Sequence, residues 1–402
     1  MDSSDLLAGL DAIDWPTLSP SPYMGDAIAH ELRAACGPDS YGREDAMSQL
    51  LQLLCGRCLR DPAVWTAVPF LVRLALAGQH NVRADALGIL SDLAYGCERG
   101  SNVPTGINPD TRFDELIQGD DWSLCRDAVL KSATELSQLL QDPDPGIREK
   151  TVVLLCRLPE IGQSSTARLV TLLTTEHDRK VVATALEALS LLAPARSVEL
   201  LTRYLGTEDW LVRWAAATAL ARIGTAGDNK TAVPPQFDDV LMDQLFAELV
   251  AFAATDHVTV FMDHHRDGRL YTDTARLLLR FADRQSVDTI VTAIADCLQN
   301  YYLPALDDLA GDAVMFAFQV APESGSGPAF ADLSPAQQRL ITALADHHLA
   351  ATVRQYPQQW LTQALALAQL PPPGNALRRY AGLPPLEVPP IRPPDRPTGP
   401  TL

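Results

Sequence analysis

Long apolar runs and alternating β-branched residues are both missing from this chain of 402 residues. No segment approaches the roughly 20 uninterrupted apolar residues that a membrane-spanning helix needs, so we expect no membrane span. Aromatic residues make up only 6% of the chain, whereas hydrophobic residues reach 47%, with alanine and leucine prominent among them. Because the alternation typical of strands is absent, this composition predicts an all-α fold.

Paired cysteine motifs are scarce as well. The chain has seven cysteines, an odd number, and only Cys55-Gly-Arg-Cys58 has the spacing of a zinc or redox motif. A zinc site of this kind needs a second pair, and the sequence has none. Unpaired thiols are typical of reducing compartments, and residues 1–5 lack the basic and apolar regions of a secretory signal. We therefore expect a cytoplasmic location.

Familiar catalytic motifs are also absent. The sequence has no Gly-rich phosphate loop, no nucleophile elbow and no dinucleotide fingerprint. It therefore predicts no cofactor, and it favours a non-enzymatic role without deciding the matter.

Positive charge is in short supply. Lysine and arginine number 32 against 50 acidic residues, which gives a formal net charge of −18. This charge disfavours nucleic acids and anionic membranes as partners and favours a basic protein. The alternative is that the acidity serves solubility alone.

What the chain does contain is an internal repeat. Three segments begin with Asp, place Val or Ile three residues later and continue into an Ala- and Leu-rich helix. They are Asp144–Leu155, Asp178–Leu189 and Asp209–Leu220, with a weaker copy at Asn81–Leu90. The apolar anchors Ile147, Val181 and Val212 are 34 and 31 residues apart. A period in the low thirties predicts one antiparallel helix pair per repeat.

Each position of the repeat has a physical role. The Asp is expected to cap the second helix of the pair, and the Val or Ile to turn into the core. An Arg beside the anchor, as in Arg148 and Arg213, is expected to reach the Asp at the turn or a turn of the preceding repeat. The alanines allow close helix packing, and neighbouring repeats together supply the core.

Breaks in this pattern predict the organisation of the chain. Residues 1–25 are predicted to form an N-terminal cap and linker, and residues 26–370 a solenoid of helix pairs. The solenoid is interrupted by a long insertion at 96–121 and by pattern breaks at 225–235 and 255–270. Residues 371–402 are rich in proline and are predicted to form an extended tail without helix.

The Asp-x-x-Val-Arg-x-x-Ala-x-x-Ala-Leu pattern resembles the HEAT-like repeat superfamily, including its bilin-lyase type. The resemblance is clearest over residues 142–224, and the wider order of elements looks like bacterial HEAT-repeat proteins of uncertain role. It implies a right-handed α–α solenoid. Relatives of this type include scaffolds, adaptors, lyase subunits, DNA glycosylases and immunity proteins of bacterial toxin systems, so the fold alone does not identify the function.

Candidate functional residues lie where the chain departs from the repeat. The segment Asp256–Arg269 clusters carboxylates, imidazoles and guanidiniums, the groups of acid–base and metal chemistry. Its catalytic candidates are Asp263, His264 and Asp267, its metal-ligand candidates His257 and His264, and its binding candidates Arg266 and Arg269. The alternative is a solvated polar turn.

A second candidate surface lies on the last clear repeat. Trp210 and Trp214 are four residues apart beside Asp209, so the two indoles would share one helix face. They predict an aromatic platform for a ligand or peptide, with helix packing as the alternative.

Three functional hypotheses follow. The first is a protein-binding scaffold or adaptor, including an immunity-type inhibitor of a basic partner. The second is an enzyme or small-molecule-binding protein with its site near Asp263–Asp267. The third, a HEAT-like DNA glycosylase, is disfavoured by the negative charge.

Overall fold

A computed structural model describes residues 3–19, 21–55, 61–95, 120–225, 237–255, 269–299, 307–318, 327–346 and 359–385. Over these ranges the regular structure is entirely helical. Within the same ranges no helix combines the length and apolarity needed to cross a membrane. The chain divides into two compact units, Met1–Leu245 and Phe246–Leu402.

The first unit is built from consecutive helices. They are α1 (Ser3–Leu6), α2 (Pro22–Ala34), α3 (Ser40–Cys55), α4 (Pro62–Ala77), α5 (His80–Tyr95), α6 (Asp120–Leu136), α7 (Pro145–Cys156), α8 (Gly162–Leu173), α9 (Arg179–Leu192), α10 (Pro194–Tyr204) and α11 (Trp210–Gly224). Short 3₁₀ turns lie at Leu10–Ala12, Trp15–Leu18, Ser137–Gln141 and Pro159–Ile161. Helix α12 (Asp239–Ala253) crosses the boundary between the units.

From α2 onward the helices alternate between two layers. The second helix of each pair packs on the second helix of the next, in the order α3, α5, α7, α9, α11. We call these five helices the second-helix layer. The first helices α2, α4 and α6 contact one another in the same order. Packing from neighbour to neighbour is the arrangement of an α-solenoid, so the predicted all-α solenoid class is confirmed.

The Asp residues of the repeat begin their helices as predicted. Asp144, Asp178 and Asp209 each accept hydrogen bonds from backbone N–H groups in the first turn of α7, α9 and α11, at 2.8 to 3.2 Å. Asp61 does the same for α4, where Pro62 follows in the first helical turn. These side chains satisfy N–H groups that a helix start leaves without partners.

Apolar anchors and alanines provide the core between repeats. Ile147 and Val181 are completely buried, and every residue of α9 from 181 to 190 is buried. In α11 every residue from 214 to 223 is buried as well. Small alanine side chains make this possible, because they let α9 approach α11 closely.

The arginine beside the anchor behaves differently from the prediction. Arg148 donates through Nη1 to the carbonyls of Asp142 and Pro143 in its own turn, and through Nε and Nη2 to Glu176. Glu176 belongs to the following repeat rather than the preceding one. Arg83 likewise pairs with Asp142 of the following repeat. The arginine therefore links the turn of its own repeat to the next repeat. The Asp three residues before the anchor, such as Asp144, caps the helix instead.

The structure also reveals a repeat that the sequence pattern missed. Arg43 donates to the carbonyls of Gly37 and Pro38, at 2.9 and 2.8 Å, while Asp39 accepts from the N–H of Gly42. Arg213 makes the same contacts to the two residues before its own Asp. Gly42 stands where other repeats have Val or Ile, so the sequence pattern does not include this copy.

Two boundaries differ from the expectations. Helix α6 begins at Asp120, within the predicted insertion, whose residues 96–119 lie outside the described ranges. The N-terminal segment packs against α2, which begins before residue 25. Trp15 is buried, and its carbonyl lies so close to Gly25 that no side chain would fit there.

The second unit contains α13 (Arg269–Leu279), α14 (Val287–Gln299), α15 (Asp307–Phe318), α16 (Pro335–Asp346), α17 (Gln359–Leu367) and α18 (Asn375–Tyr380). Aromatic pairs hold part of its core. Phe246 packs on Phe281 and Phe252 on Tyr271, with ring centroids 5.4 and 5.1 Å apart.

The prediction that residues 371–402 contain no helix is wrong for α18. No proline occurs between Gly374 and Gly382, so nothing prevents a helical turn there. Leu377 is fully buried, and Arg378 donates to the Ala345 carbonyl and to Asp346. This part of the segment therefore has a core to join. Residues 386–402 lie outside the described ranges.

A close helix contact in the second unit gives a stability prediction. A Cβ atom on Gly311 would lie 2.2 Å from Cδ1 of Trp360, whose indole donates to Asp312 at 3.0 Å. We expect Gly311→Ala to lower the free energy of unfolding by about 1–3 kcal/mol through overpacking. Thermal unfolding measures this change.

Gly88→Ala is the matched control. Gly88 also lies inside a helix, but the nearest atom to its added Cβ is the Lys150 ammonium nitrogen at 3.9 Å. It should gain up to about 1 kcal/mol from helix propensity. Stabilisation by both substitutions would contradict the tight α15–α17 contact.

Candidate functional site

Most of the predicted acid–base cluster lies outside the described residues. Asp263, His264, Asp267, His257 and Arg266 all fall within 256–268. Arg269 is the first residue of α13, and nothing is described of its side chain. The catalytic and metal-binding hypotheses for this segment stay predictions. Across the ranges that the structure does describe, no group of three His, Cys, Asp or Glu residues could hold a metal ion.

The predicted aromatic platform is described in full. Asp209 caps α11, accepting from the N–H groups of Leu211 and Val212. Trp210 is half-buried, and the Arg179 guanidinium lies over its ring, 5.7 Å from the centroid. The side chain of Trp214 is packed in the core, with 3% of the residue exposed. The two indoles therefore do not form an open platform, and Trp210 with Arg179 is the accessible part.

A polar strip crosses four helices of the second-helix layer. We define it by Glu44 on α3, Asn81 and Asp85 on α5, Glu149 and Lys150 on α7, and Thr184 on α9. The Asn81 amide donates to Glu44 at 3.3 Å, and the Thr184 hydroxyl lies 3.4 Å from a Glu149 carboxylate oxygen. The charge of Lys150 acts on Asp85 and so connects these two contacts across α5 and α7. Glu44 is the exposed end of the strip, and Thr184 is its buried end.

Asp85 is the unusual group of the strip. Burial raises the pKa of its carboxyl above the usual 3.8, and the negative charge of Glu44 raises the pKa further. The positive charge of Lys150 lowers the pKa but only in part. Burial is the main cause of this shift, and a further cationic group placed at the Asp85 carboxylate would favour its charged form, as Lys150 does in part.

A cleft opens on the other layer, between the 3₁₀ turn Ser137–Gln141 and helix α8. We call it the outer cleft. Its volume is about 630 Å³. Leu140 and Leu172 give it apolar walls, and Thr171, Thr175 and Arg168 line it from the α8 side. This size lies within the range of small-molecule and peptide sites.

Arg148 and Glu176 form the charged wall of the outer cleft. The guanidinium binds both carboxylate oxygens, at 2.7 and 2.8 Å, and the Glu176 side chain is only 3% exposed. Burial alone would raise the pKa of Glu176. The hydrogen bonds from Arg148 and from the N–H groups of Asp178 and His177 outweigh burial and hold that pKa below the usual 4.5.

Sequence reasoning did not single out the outer cleft or the strip. Arg148 was visible as a repeat position, but its partner Glu176 stands two residues before a capping Asp, a position that the repeat pattern leaves unspecified. Asp142 occupies the same position in its repeat and pairs with Arg83. An acidic residue two positions before the capping Asp therefore indicates an ion pair with the arginine of the preceding repeat.

The Arg148–Glu176 pair gives a prediction about pH. Because the pKa of Glu176 is lower in the folded than in the unfolded state, the pair stabilises the fold at neutral pH. That contribution is lost as pH falls through the folded pKa. We expect Glu176→Gln to lower the free energy of unfolding at neutral pH by about 1–3 kcal/mol.

Urea unfolding followed from neutral to acidic pH tests this expectation. The variant should lose less stability than the unmodified protein as pH falls below 4.5, the usual pKa of the carboxyl. Glu135→Gln, at an exposed position of α6, is the control and should follow the unmodified protein. A Glu176→Gln protein with the unmodified pH dependence would show that the pair does not stabilise the fold.

One family match agrees with this architecture. Residues 166–235 match the family described as HEAT repeats. Among solved structures, one described as an engineered protein is 17% identical, over 85% of this chain and 87% of that chain, with a TM-score of 0.32. No curated protein matches the sequence. HEAT repeats generally act as protein-interaction scaffolds. The family match places HEAT repeats at residues 166–235, and the capped helix pairs stacked from neighbour to neighbour around this segment are similar to them.

Proposed function

We propose that the protein is a cytoplasmic scaffold whose polar strip binds a basic segment of a protein partner. The observation that carries this proposal is the half-buried carboxyl of Asp85 on the strip that also carries the exposed Glu44. Burial raises the pKa of Asp85 by more than the charge of Lys150 lowers it. A cation bound between Asp85 and Glu44 would favour the charged form of Asp85, adding to the effect of Lys150. A lysine or arginine side chain of a partner supplies one.

The overall charge supports the same partner class. A net charge of −18 attracts a basic protein over a distance and raises its rate of association. An adaptor and an immunity-type inhibitor of a basic partner would both use this surface. They differ in what the partner does once it is bound.

Replacing the two acids of the strip by their amides tests the proposal. Glu44→Gln with Asp85→Asn keeps side-chain shape and removes two negative charges. We expect the affinity for a basic partner, recovered from the source cells with the unmodified protein, to fall by about tenfold for each charge removed. Capture followed by titration calorimetry measures the loss.

The control carries the same charge change on the other layer. Asp127→Asn with Glu135→Gln alters two exposed acids of α6 and should leave the affinity unchanged. Equal loss in both double variants would assign the effect to net charge alone. Recovery of no stoichiometric partner, or of an acidic partner, would contradict the proposal.

A further inference from the structure

The acidic side chains that line the outer cleft are neutralised within the fold. Three of its carboxylates already have a counterpart within the fold. Asp142 pairs with Arg83, and Glu176 is held by both arms of Arg148. Asp178 accepts from the N–H groups of Lys180 and Val181, at the positive end of α9. None of these acids therefore calls for a further cation.

Arg168 is the charged group of the cleft that remains unbalanced. Its side chain is exposed, and it makes no hydrogen bond or ion pair with any residue in the described ranges. The imidazole of His177 also lines the cleft without a partner from those ranges. Arg168 can only donate and carries a positive charge, and His177 can donate beside it, so these two groups fit an anionic ligand.

The other residues that line the cleft indicate which chemical group carries the anionic charge of the ligand. Arg168, Thr171, Leu172 and Thr175 recur at intervals of three and four residues, so they share one face of α8 and its C-terminal turn. The hydroxyls of Thr171 and Thr175 donate to backbone carbonyls, at 3.0 and 3.4 Å. Their methyl groups and the Leu140 and Leu172 side chains leave an apolar surface next to the arginine.

We propose that the outer cleft binds a carboxylate carried on an aliphatic body. Arg168 pairs with the carboxylate, and the aliphatic part lies between Leu140 and Leu172. This site is separate from the polar strip, because the two share no residue: the ligand contacts proposed for the cleft lie on α8 and on the 3₁₀ turn Ser137–Gln141, and the acids tested in the strip lie on α3 and α5. Two sources share this chemistry: a free aliphatic acid, and the C-terminal residue of a peptide.

Calorimetry with two matched ligands tests the charge requirement. N-acetyl-L-leucine carries the carboxylate, and N-acetyl-L-leucinamide has the same shape without the charge. We expect the acid to bind and the amide to bind at least about tenfold more weakly, as for loss of one charge-assisted hydrogen bond. Equal binding of the two, or no binding of the acid, would overturn the proposal.

Variants locate the binding. Arg168→Gln should weaken binding of the acid by about tenfold, and Thr171→Trp should abolish it by filling the cleft. Arg196→Gln, at an exposed arginine of α10 outside the cleft lining, is the control and should bind like the unmodified protein. Unchanged affinity in both cleft variants would place the ligand elsewhere and reject the site.

A further pair of probes separates the two sources. Octanoate represents the free aliphatic acid, and a hexapeptide ending in leucine represents the peptide terminus, with its C-terminal amide as the reference. Tighter binding of octanoate assigns a free acid, and tighter binding of the hexapeptide over its amide assigns a C-terminal residue. Failure of both probes to bind at Arg168 contradicts the proposal. The polar-strip variants should leave all these affinities unchanged, so this test and that of the proposed function fail independently.

Discussion

No helix pair of this protein can bury its apolar surface alone, and the arrangement of the first unit follows from that constraint. Helix α9 shows its full effect, since residues 181 to 190 are buried on every side by the neighbouring helices and the rest of the chain. Alanine at positions such as Ala185 and Ala219 is what permits this, because larger side chains would hold α9 and α11 apart. The stability of each repeat is therefore a property of its neighbours as much as of its own sequence.

Ion pairs between neighbouring repeats add to this packing, but they are not present at every junction. Arg83 meets Asp142 and Arg148 meets Glu176, each donor lying one residue after the anchor and each acceptor two residues before the next cap. At the following junction the donor position holds Val182 and the acceptor position Thr207. There Arg179 reaches Asp209 at 3.9 Å and covers Trp210 instead. Donor and acceptor are thus absent together, and the half-buried Trp210 with Arg179 lies at the junction that lacks this link.

Much of the fold could be predicted from the sequence, because caps and anchors are local. An Asp before an apolar helix defines a helix start whatever surrounds it, and Asp144, Asp178 and Asp209 all do so. The copy at Asp39–Arg43 was missed because Gly42 replaces the anchor, and the helix at Asn375–Tyr380 was missed because the prolines around it dominated the pattern. The outer cleft and the strip depend on distances between repeats. Spacing along the chain does not specify those, so neither Arg168 nor Asp85 stood out in the sequence.

The paired positions of the arginine links bear on how such a chain can change length. Arg83 and Arg148 are equivalent donors, and Asp142 and Glu176 are equivalent acceptors, so loss or duplication of one complete period would again place a guanidinium opposite a carboxylate. A deletion that removed Glu176 but kept Arg148 would instead place this arginine opposite the uncharged Thr207. The natural module of this protein therefore runs from one donor to the next and is not the helix pair itself.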